Sequence, residues 1–254
     1  MLDDTQLESY RENGFILVKG LLSKEEAKAY RAESHTLIER LGRTDADDPT
    51  WGSARELGGA GKTSLQHCHD VQFQSAAFTR LIVDDRVTGV IADIIGSPNV
   101  QLHHTKMFVK PPAKGSPFPM HQDYPYFPHT TGTMGAVILH FDDAPEEKGC
   151  VRVVPGSYKN GPLEHVSDGG YHLPLDKWPL SAAVSCEAEA GDALFFSYMT
   201  VHGSGVNTSS EARTTLLIQY RDAADAPTVD THRSRGQGMM LRGIDPTAGG
   251  PTAA

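Results

Sequence analysis

A chain of 254 residues, 39% hydrophobic and 22% charged, has the composition of a soluble globular protein and a size that suits one large domain or two small ones. Its net charge of −9, with 32 acidic against 23 basic residues, argues against nucleic acid as a partner, since phosphate binding needs clustered positive charge. No apolar run approaches the roughly 18 residues that span a membrane, and the widely spaced Cys68, Cys150 and Cys186 suit a reducing cytoplasm better than a disulfide framework.

The opening stretch MLDDTQLESYRENG is acidic and polar, unlike a secretory leader. Thr5-Gln-Leu-Glu8 and Ser23-Lys-Glu-Glu26 have the form of capping boxes and predict two helices. The second should run over 24–41 and stop at Gly42, with Ala27, Tyr30, Leu37, Ile38 and Leu41 on one face. Between them GFILVKG reads as a short strand. Residues 43–75, rich in Gly, Asp and Thr and without a clear period, read as a long loop. Two short helices are expected next, over 76–82 and 86–95.

From residue 99 the pattern changes. NVQLHHTKMFVK, TMGAVILHFD, CVRVVPG, AAVSCEAEA, DALFFSYM and RTTLLIQYR are strand candidates separated by Gly, Pro and Asp turns. Helices first and strands later predict a mainly β, α+β fold, with helices packed on one side of an antiparallel barrel or sandwich. No repeat or linker interrupts 1–245, so a single domain is expected there, followed by a disordered small-residue tail over 246–254.

The stretch FPMHQDYPYFP, residues 118–128, frames His121 and Asp123 with prolines and aromatic rings. On an extended segment, side chains two apart share a side, so both could reach one ion. An H-x-D triplet is common by chance, and His140-Phe-Asp142 is a second one. A third ligand decides between them: the strand DALFFSYM delivers His202 to a Gly-Ser-Gly turn, and Arg213 opens the next strand. Two histidines and a carboxylate with open positions form the ligand set of non-heme Fe(II) oxygenases. A 2-oxoacid could chelate such an iron. Arg213 could then fork onto the far carboxylate of 2-oxoglutarate, with Ser204 adding a hydrogen bond.

HQDYPYFP, the preceding VKPPAKG, the later GCVRVVPGSY, AGDALFF and VHGSGVN with its following arginine together resemble the phytanoyl-CoA dioxygenase family, from about GFILVKGLLSKEE to Tyr220. The resemblance implies a double-stranded β-helix, or jelly-roll, core with Fe(II), 2-oxoglutarate and O2 as cofactor and cosubstrates. It implies His121, Asp123 and His202 as iron ligands, and Arg213 and Ser204 as 2-oxoglutarate contacts. His104 and Lys106, on one face of the strand before VKPP, join those contacts because the family uses that strand for the cosubstrate pocket. The implied activity is hydroxylation of a small-molecule substrate, such as a secondary metabolite, an amino-acid-like solute or an acyl compound, with release of succinate and CO2. Desaturation, epimerisation and ring closure stay open.

Blander readings stand beside these. His121 and Asp123 could be a solvated turn, and Arg213 could pair with Glu211 at the surface. Tyr124, Tyr126 and Phe127 could be core or a substrate wall, and His140 could face the pocket without binding metal. His67-Cys68-His69-Asp70 resembles a metal cluster, but adjacent ligands on a loop rarely close a site, so a structural or substrate-loop role is favoured. Segments 43–75 and 160–180 read as lid elements. The alternatives in other classes are a non-redox cupin-like isomerase, which would not need Arg213, and a catalytically silent binding module.

Overall fold

A computed structural model describes residues 1–41, 44–45, 63–167, 172–231 and 233–248. Helix α1 spans Asp4–Asn13. Its capping box is built by Asp3, whose carboxylate accepts from Gln6 N while the Gln6 side chain accepts from Asp3 N. Thr5, expected to cap, lies inside the first turn, because Asp3 holds the extended conformation that a cap requires. Strand β1, Phe15–Val18, follows, and then α2, Lys24–Leu41. The α2 cap is the expected one, with Ser23 and Glu26 bonding each other's backbone at 3.1 and 2.7 Å. Gly42, the expected stop, lies outside the described residues, as do 46–62 of the expected long loop and 249–254 of the expected tail.

The described remainder of that loop is not irregular. After the two-residue strand β2, Thr44–Asp45, strand β3 spans Leu65–His69, and a short 3-10 turn covers Val71–Phe73. Helices α3, Ala76–Ile82, and α4, Asp85–Ile95, are capped by Ser75 and Asp84. The strands β4, Val100–Lys110, β5, Phe118–His121, β6, Gly135–His140, β7, Val151–Val153, and β8, Val184–Cys186, come next. Then come β9, Ala193–Ser197, β10, His202–Ser204, β11, Arg213–Asp222, and β12, Met240–Arg242.

Among the described residues these strands form two antiparallel sheets. The larger has the order β1-β9-β6-β11-β4-β3-β2, with β12 also on β4; the smaller has the order β5-β10-β7-β8. This is the jelly-roll arrangement expected from the sequence. Alternation along β11 fixes the layers. Leu216, Ile218 and Tyr220 join the core under the helices, with Leu37, Phe78, Leu81, Val90 and Ile91. Arg213, Thr215, Leu217 and Gln219 point the other way, into a cavity between the sheets.

Strand β4 obeys the same parity with one interruption. Met107 and Val109 face the helices, and so do Val100 and Leu102. A bulge reconciles odd and even numbers: Gln219 pairs with His104 but Tyr220 with Leu102, so His103 is the inserted residue.

Phe78 is fully buried in a three-ring cluster with Tyr30 and Phe141, whose centroids lie 5.9 and 6.3 Å away. Phe78→Ala should cost about 3–5 kcal/mol of stability through lost burial and the cavity left behind. Chemical denaturation checks this; a loss below about 1 kcal/mol would mean that the helical layer is not packed as described.

Candidate active site

His121 ends β5 and His202 opens β10, and the two are paired in register, so their imidazoles project from adjacent strands with ring centroids 4.2 Å apart. Each ring is oriented by its own backbone. His121 Nδ1 donates to Pro119 O at 2.8 Å and His202 Nδ1 to Thr200 O at 2.9 Å. That leaves both Nε2 atoms as lone-pair donors, the tautomer a metal ligand needs. Gly203 permits the close approach of β10 to β5: a Cβ there would meet Phe118 O at 2.7 Å and Met120 Sδ at 2.8 Å.

Asp123 reaches the same point by a different route from the one expected. The strand ends at His121, and Asp123 has turned into a helical conformation, φ −75° and ψ −23°, at the head of the short 3-10 turn Tyr124–Tyr126. The turn is anchored because Tyr198 O accepts from the N–H of both Asp123 and Tyr124. The intervening Gln122 is fully buried and acts as a peg: its side-chain amide donates to Met199 O and Gly161 O and accepts from Leu163 N. The part of 160–180 around Gly161 and Leu163 therefore anchors the turn, whereas a lid role was expected.

Asp123 Oδ1 lies 3.6 Å from His121 Nε2 and 3.7 Å from His202 Nε2, and one ligand atom from each residue falls within 4.8 Å of the others. Among the described residues this is the one group of three or more such side chains placed to hold a metal ion. Asp123 Oδ2 accepts from Gln219 Nε2 at 2.6 Å. Burial pushes the Asp123 carboxyl up, but the charge of His202, the hydrogen bond and charge of His121, and Gln219 outweigh it and hold the group at about 2. Burial, with the charge of His121, lowers His202 to about 4. Both groups are thus deprotonated at neutral pH, the form in which they bind a cation. Buried N and O donors from two imidazoles and a carboxylate suit a divalent iron.

The cavity has a volume of ≈ 320 Å³ and is lined by the triad, by Arg213, Ser204 and Thr215, and by His67, His69, His104 and Lys106. Arg213 is buried, its Nη1 donates to Gly149 O, and its Nε has no partner. Burial lowers its pKa to about 10, so the guanidinium stays charged at neutral pH. The alternative surface pair with Glu211 is not made: Glu211 takes Lys148 at 2.6 Å.

Directly across the β-ladder from Arg213 stands Lys110, fully buried, with Nζ donating to Ser204 Oγ at 2.7 Å and Gly205 O at 2.6 Å. Burial and the neighbouring Arg213 depress its pKa well below the usual lysine value. Gly149, at φ +67°, turns its carbonyl toward both cations, and a Cβ there would overlap Gly205 O. A buried guanidinium without a carboxylate partner, flanked by a buried lysine amine, is suited to an anionic ligand. Because Lys110 donates to Ser204 Oγ, the Ser204 hydroxyl hydrogen is free to point into the cavity.

Several expected positions move. Lys106 pairs with Leu217 and His104 with Gln219, so neither sits at the Arg213 end; the lysine beside Arg213 is Lys110, four residues along β4. Tyr126 and Phe127 line the cavity, but Tyr124 does not; it packs edge-on against Tyr198 at 5.5 Å. His140 is fully buried beside Thr215 in the ladder and does not line the cavity either. Burial, with the charge of Arg213, lowers it to about 3, so it is neutral. His67 and His69 lie on β3 and form part of the cavity wall, and among the described residues they belong to no group placed to hold a metal. Lys110 and Gln219 were not singled out from the sequence. The available signal was parity: each is a polar residue at a position whose alternation points inward.

A family model for phytanoyl-CoA dioxygenase (PhyH) matches residues 10–215. The chain belongs to this family. Its members depend on iron and 2-oxoglutarate. Rat peroxisomal phytanoyl-CoA dioxygenase is 29% identical over 236 residues, covering 85% of this chain and 67% of the rat protein. L-proline trans-4-hydroxylase of Streptomyces griseoviridis is 27% identical over 198 residues, covering 68% of this chain and 72% of that enzyme. The crystal structure of the epimerase SnoN, in complex with Fe3+, alpha-ketoglutarate and nogalamycin RO, superposes with a TM-score of 0.72 at 27% identity. It covers 98% of this chain and 92% of SnoN.

Removing the partner of a ligating carboxylate typically lowers metal affinity about 10–100-fold. Gln219→Leu should do so here, measured by divalent-metal titration of the metal-free protein, whereas His140→Ala should leave the affinity unchanged. Equal effects of the two substitutions would place the metal elsewhere.

Proposed function

We propose that the chain is a 2-oxoglutarate-dependent hydroxylase of a small organic molecule, with iron on His121, Asp123 and His202. The observation that carries this reading is the convergence on one cavity of the His-Asp-His triad and an unpaired buried guanidinium. A non-redox isomerase would have no use for Arg213, and a silent binding module would not be expected to keep all three ligands.

Bound iron with 2-oxoglutarate supplies the activation of dioxygen that organic side chains cannot provide. The chain's own residues bind, orient and shield. Asp123 faces both imidazoles with Oδ1, while Gln219 holds Oδ2 and stops the carboxylate from rotating. Arg213 forks onto the distal carboxylate of 2-oxoglutarate, and Ser204, oriented by Lys110, donates a second hydrogen bond. Phe118, Ile138, Val151, Phe196 and Leu217 give the cavity an apolar wall that limits water. Overall, a substrate C–H, dioxygen and 2-oxoglutarate become C–OH, succinate and CO2. Among the described residues no helix is long and apolar enough to cross a membrane, and the three cysteines are free and buried, which fits the reducing cytoplasm proposed for it.

A second outcome, inversion of a carbon centre, is favoured by the similarity to the epimerase SnoN. The same residues would serve it, and the product separates the two. Under labelled dioxygen, hydroxylation adds one labelled oxygen to the product, whereas epimerisation leaves the mass of the substrate unchanged. A product carrying labelled oxygen is expected; an isomer of unchanged mass would shift the assignment to epimerase.

The cosubstrate assignment has its own test. Loss of one partner from a buried charge pair costs on the order of 3–5 kcal/mol, and 1.4 kcal/mol is about tenfold. Arg213→Ala should therefore raise the 2-oxoglutarate requirement at least about a hundredfold while iron affinity stays near its original value. Lys110→Met, which acts through Ser204, should raise it about tenfold. An unchanged 2-oxoglutarate dependence in Arg213→Ala would remove that residue from the site.

A further inference from the structure

Strand β5 lies at the edge of the smaller sheet. Among the described residues its strand neighbour is β10 alone, so the backbone groups on its outer side need partners from elsewhere. The chain between β7 and β8 supplies them. Leu173 N donates to Met120 O at 2.8 Å. Gln122 N, buried at the end of the strand, donates to the side chain of His165, with Nε2 at 2.9 Å.

The Gln122 amide is part of the peptide that joins it to His121. Two peptides separate the ligands His121 and Asp123, and the second is fixed by the bond from Asp123 N to Tyr198 O at 2.9 Å. Rotation of the first about its flanking bonds would swing Asp123 relative to His121. The carboxylate would then leave the point it shares with both imidazoles. His165 is therefore the side chain that holds the one peptide between the ligands that Tyr198 does not.

The ring of His165 is oriented by the same local device as the ligand rings. Its Nδ1 donates to Leu163 O at 2.9 Å, two residues earlier, as His121 does to Pro119 O and His202 to Thr200 O. The proton thus sits on Nδ1 and Nε2 keeps its lone pair. In the two ligands that lone pair faces the metal point; in His165 it accepts an amide. Gln122 closes the circuit, because its side-chain oxygen accepts from Leu163 N at 2.8 Å. Gln122, His165 and Leu163 form a ring of three hydrogen bonds behind the ligand pair.

We propose that His165 is a positioning residue of the metal site, whose Nε2 fixes the peptide between His121 and Asp123 and so sets the spacing of these two ligands. This rests on the triad as the metal site and adds a residue that acts through it without touching the metal.

Two substitutions divide the functions of the ring. His165→Gln keeps an acceptor near the place of Nε2, whereas His165→Asn keeps a donor near the place of Nδ1 and is too short to reach the Gln122 amide. Co(II), which takes N and O ligands and absorbs visibly, is titrated into the metal-free proteins without 2-oxoglutarate. His165→Asn should weaken Co(II) binding about tenfold and shift its absorption bands at saturation, as loss of an orienting partner does. His165→Gln should retain both the affinity and the bands. The reverse order, equal losses with unchanged bands, or no loss in either variant would overturn the proposal. A readout without substitution guards against misfolding. Coupling is reciprocal, so Zn(II) should slow hydrogen exchange of the Gln122 amide about tenfold in the native protein. Unchanged exchange would overturn the proposal as well. His121→Ala separates the two levels: retained Co(II) affinity there would overturn the triad itself, whereas lost affinity beside an unaffected His165→Asn would overturn the role of His165 alone.

Discussion

The pairing of His121 with His202 across β5 and β10 is the constraint on which the site depends. It converts a backbone register into a metal geometry. Each imidazole donates its Nδ1 proton to a carbonyl two residues earlier in its own chain, Pro119 O and Thr200 O. The rings are therefore fixed by the same segments that place them, and the two Nε2 atoms converge without help from a long side chain. Asp123 completes the set because the chain turns at the end of β5, and that turn is held by Tyr198 O and by the buried amide of Gln122. The triad thus sits at the end of paired backbone, where conformational freedom has already been lost in folding, and metal binding need order little more.

Electrostatics gives the cavity its direction. Arg213 and Lys110 are neighbours across a β-ladder, both buried, and neither has a carboxylate partner. Burying a guanidinium beside a lysine amine opposes folding, and the carbonyls of Gly149 and Gly205 with the Ser204 hydroxyl offset only part of that. Such an arrangement is understandable if a ligand brings the missing negative charge. On the function proposed above, 2-oxoglutarate would supply it, and stability held back in the free protein would become binding selectivity for a dianion.

Much of this was legible in the sequence where alternation meets a buried face. Leu216, Ile218 and Tyr220 against Thr215, Leu217 and Gln219 read correctly as one strand with two faces. The metal frame was legible because prolines and aromatic rings around His121 and Asp123 mark a constrained turn, although that turn is helical and not extended. Strand β3 was hidden because its inward residues are imidazoles, His67 and His69, so its two-residue period carries no apolar signal. Lys106 was chosen over Lys110 for a related reason. Both have the same parity on β4, and only the register against Arg213, which sequence does not encode locally, shows which one meets it. His140 shares the parity of Ile138, yet depth along the strand puts it beyond the cavity.

The central claim is that one iron is held by this triad and is completed by one 2-oxoglutarate. An anaerobic titration of the metal-free protein, first with Fe(II) and then with 2-oxoglutarate, tests it through the visible charge-transfer absorption that a chelated 2-oxoacid gives on ferrous iron. The account predicts a band that forms only when both are present, saturates at one of each per chain, and is lost in Asp123→Ala. A band that forms at full strength in Asp123→Ala, or that saturates at a different stoichiometry, would contradict it.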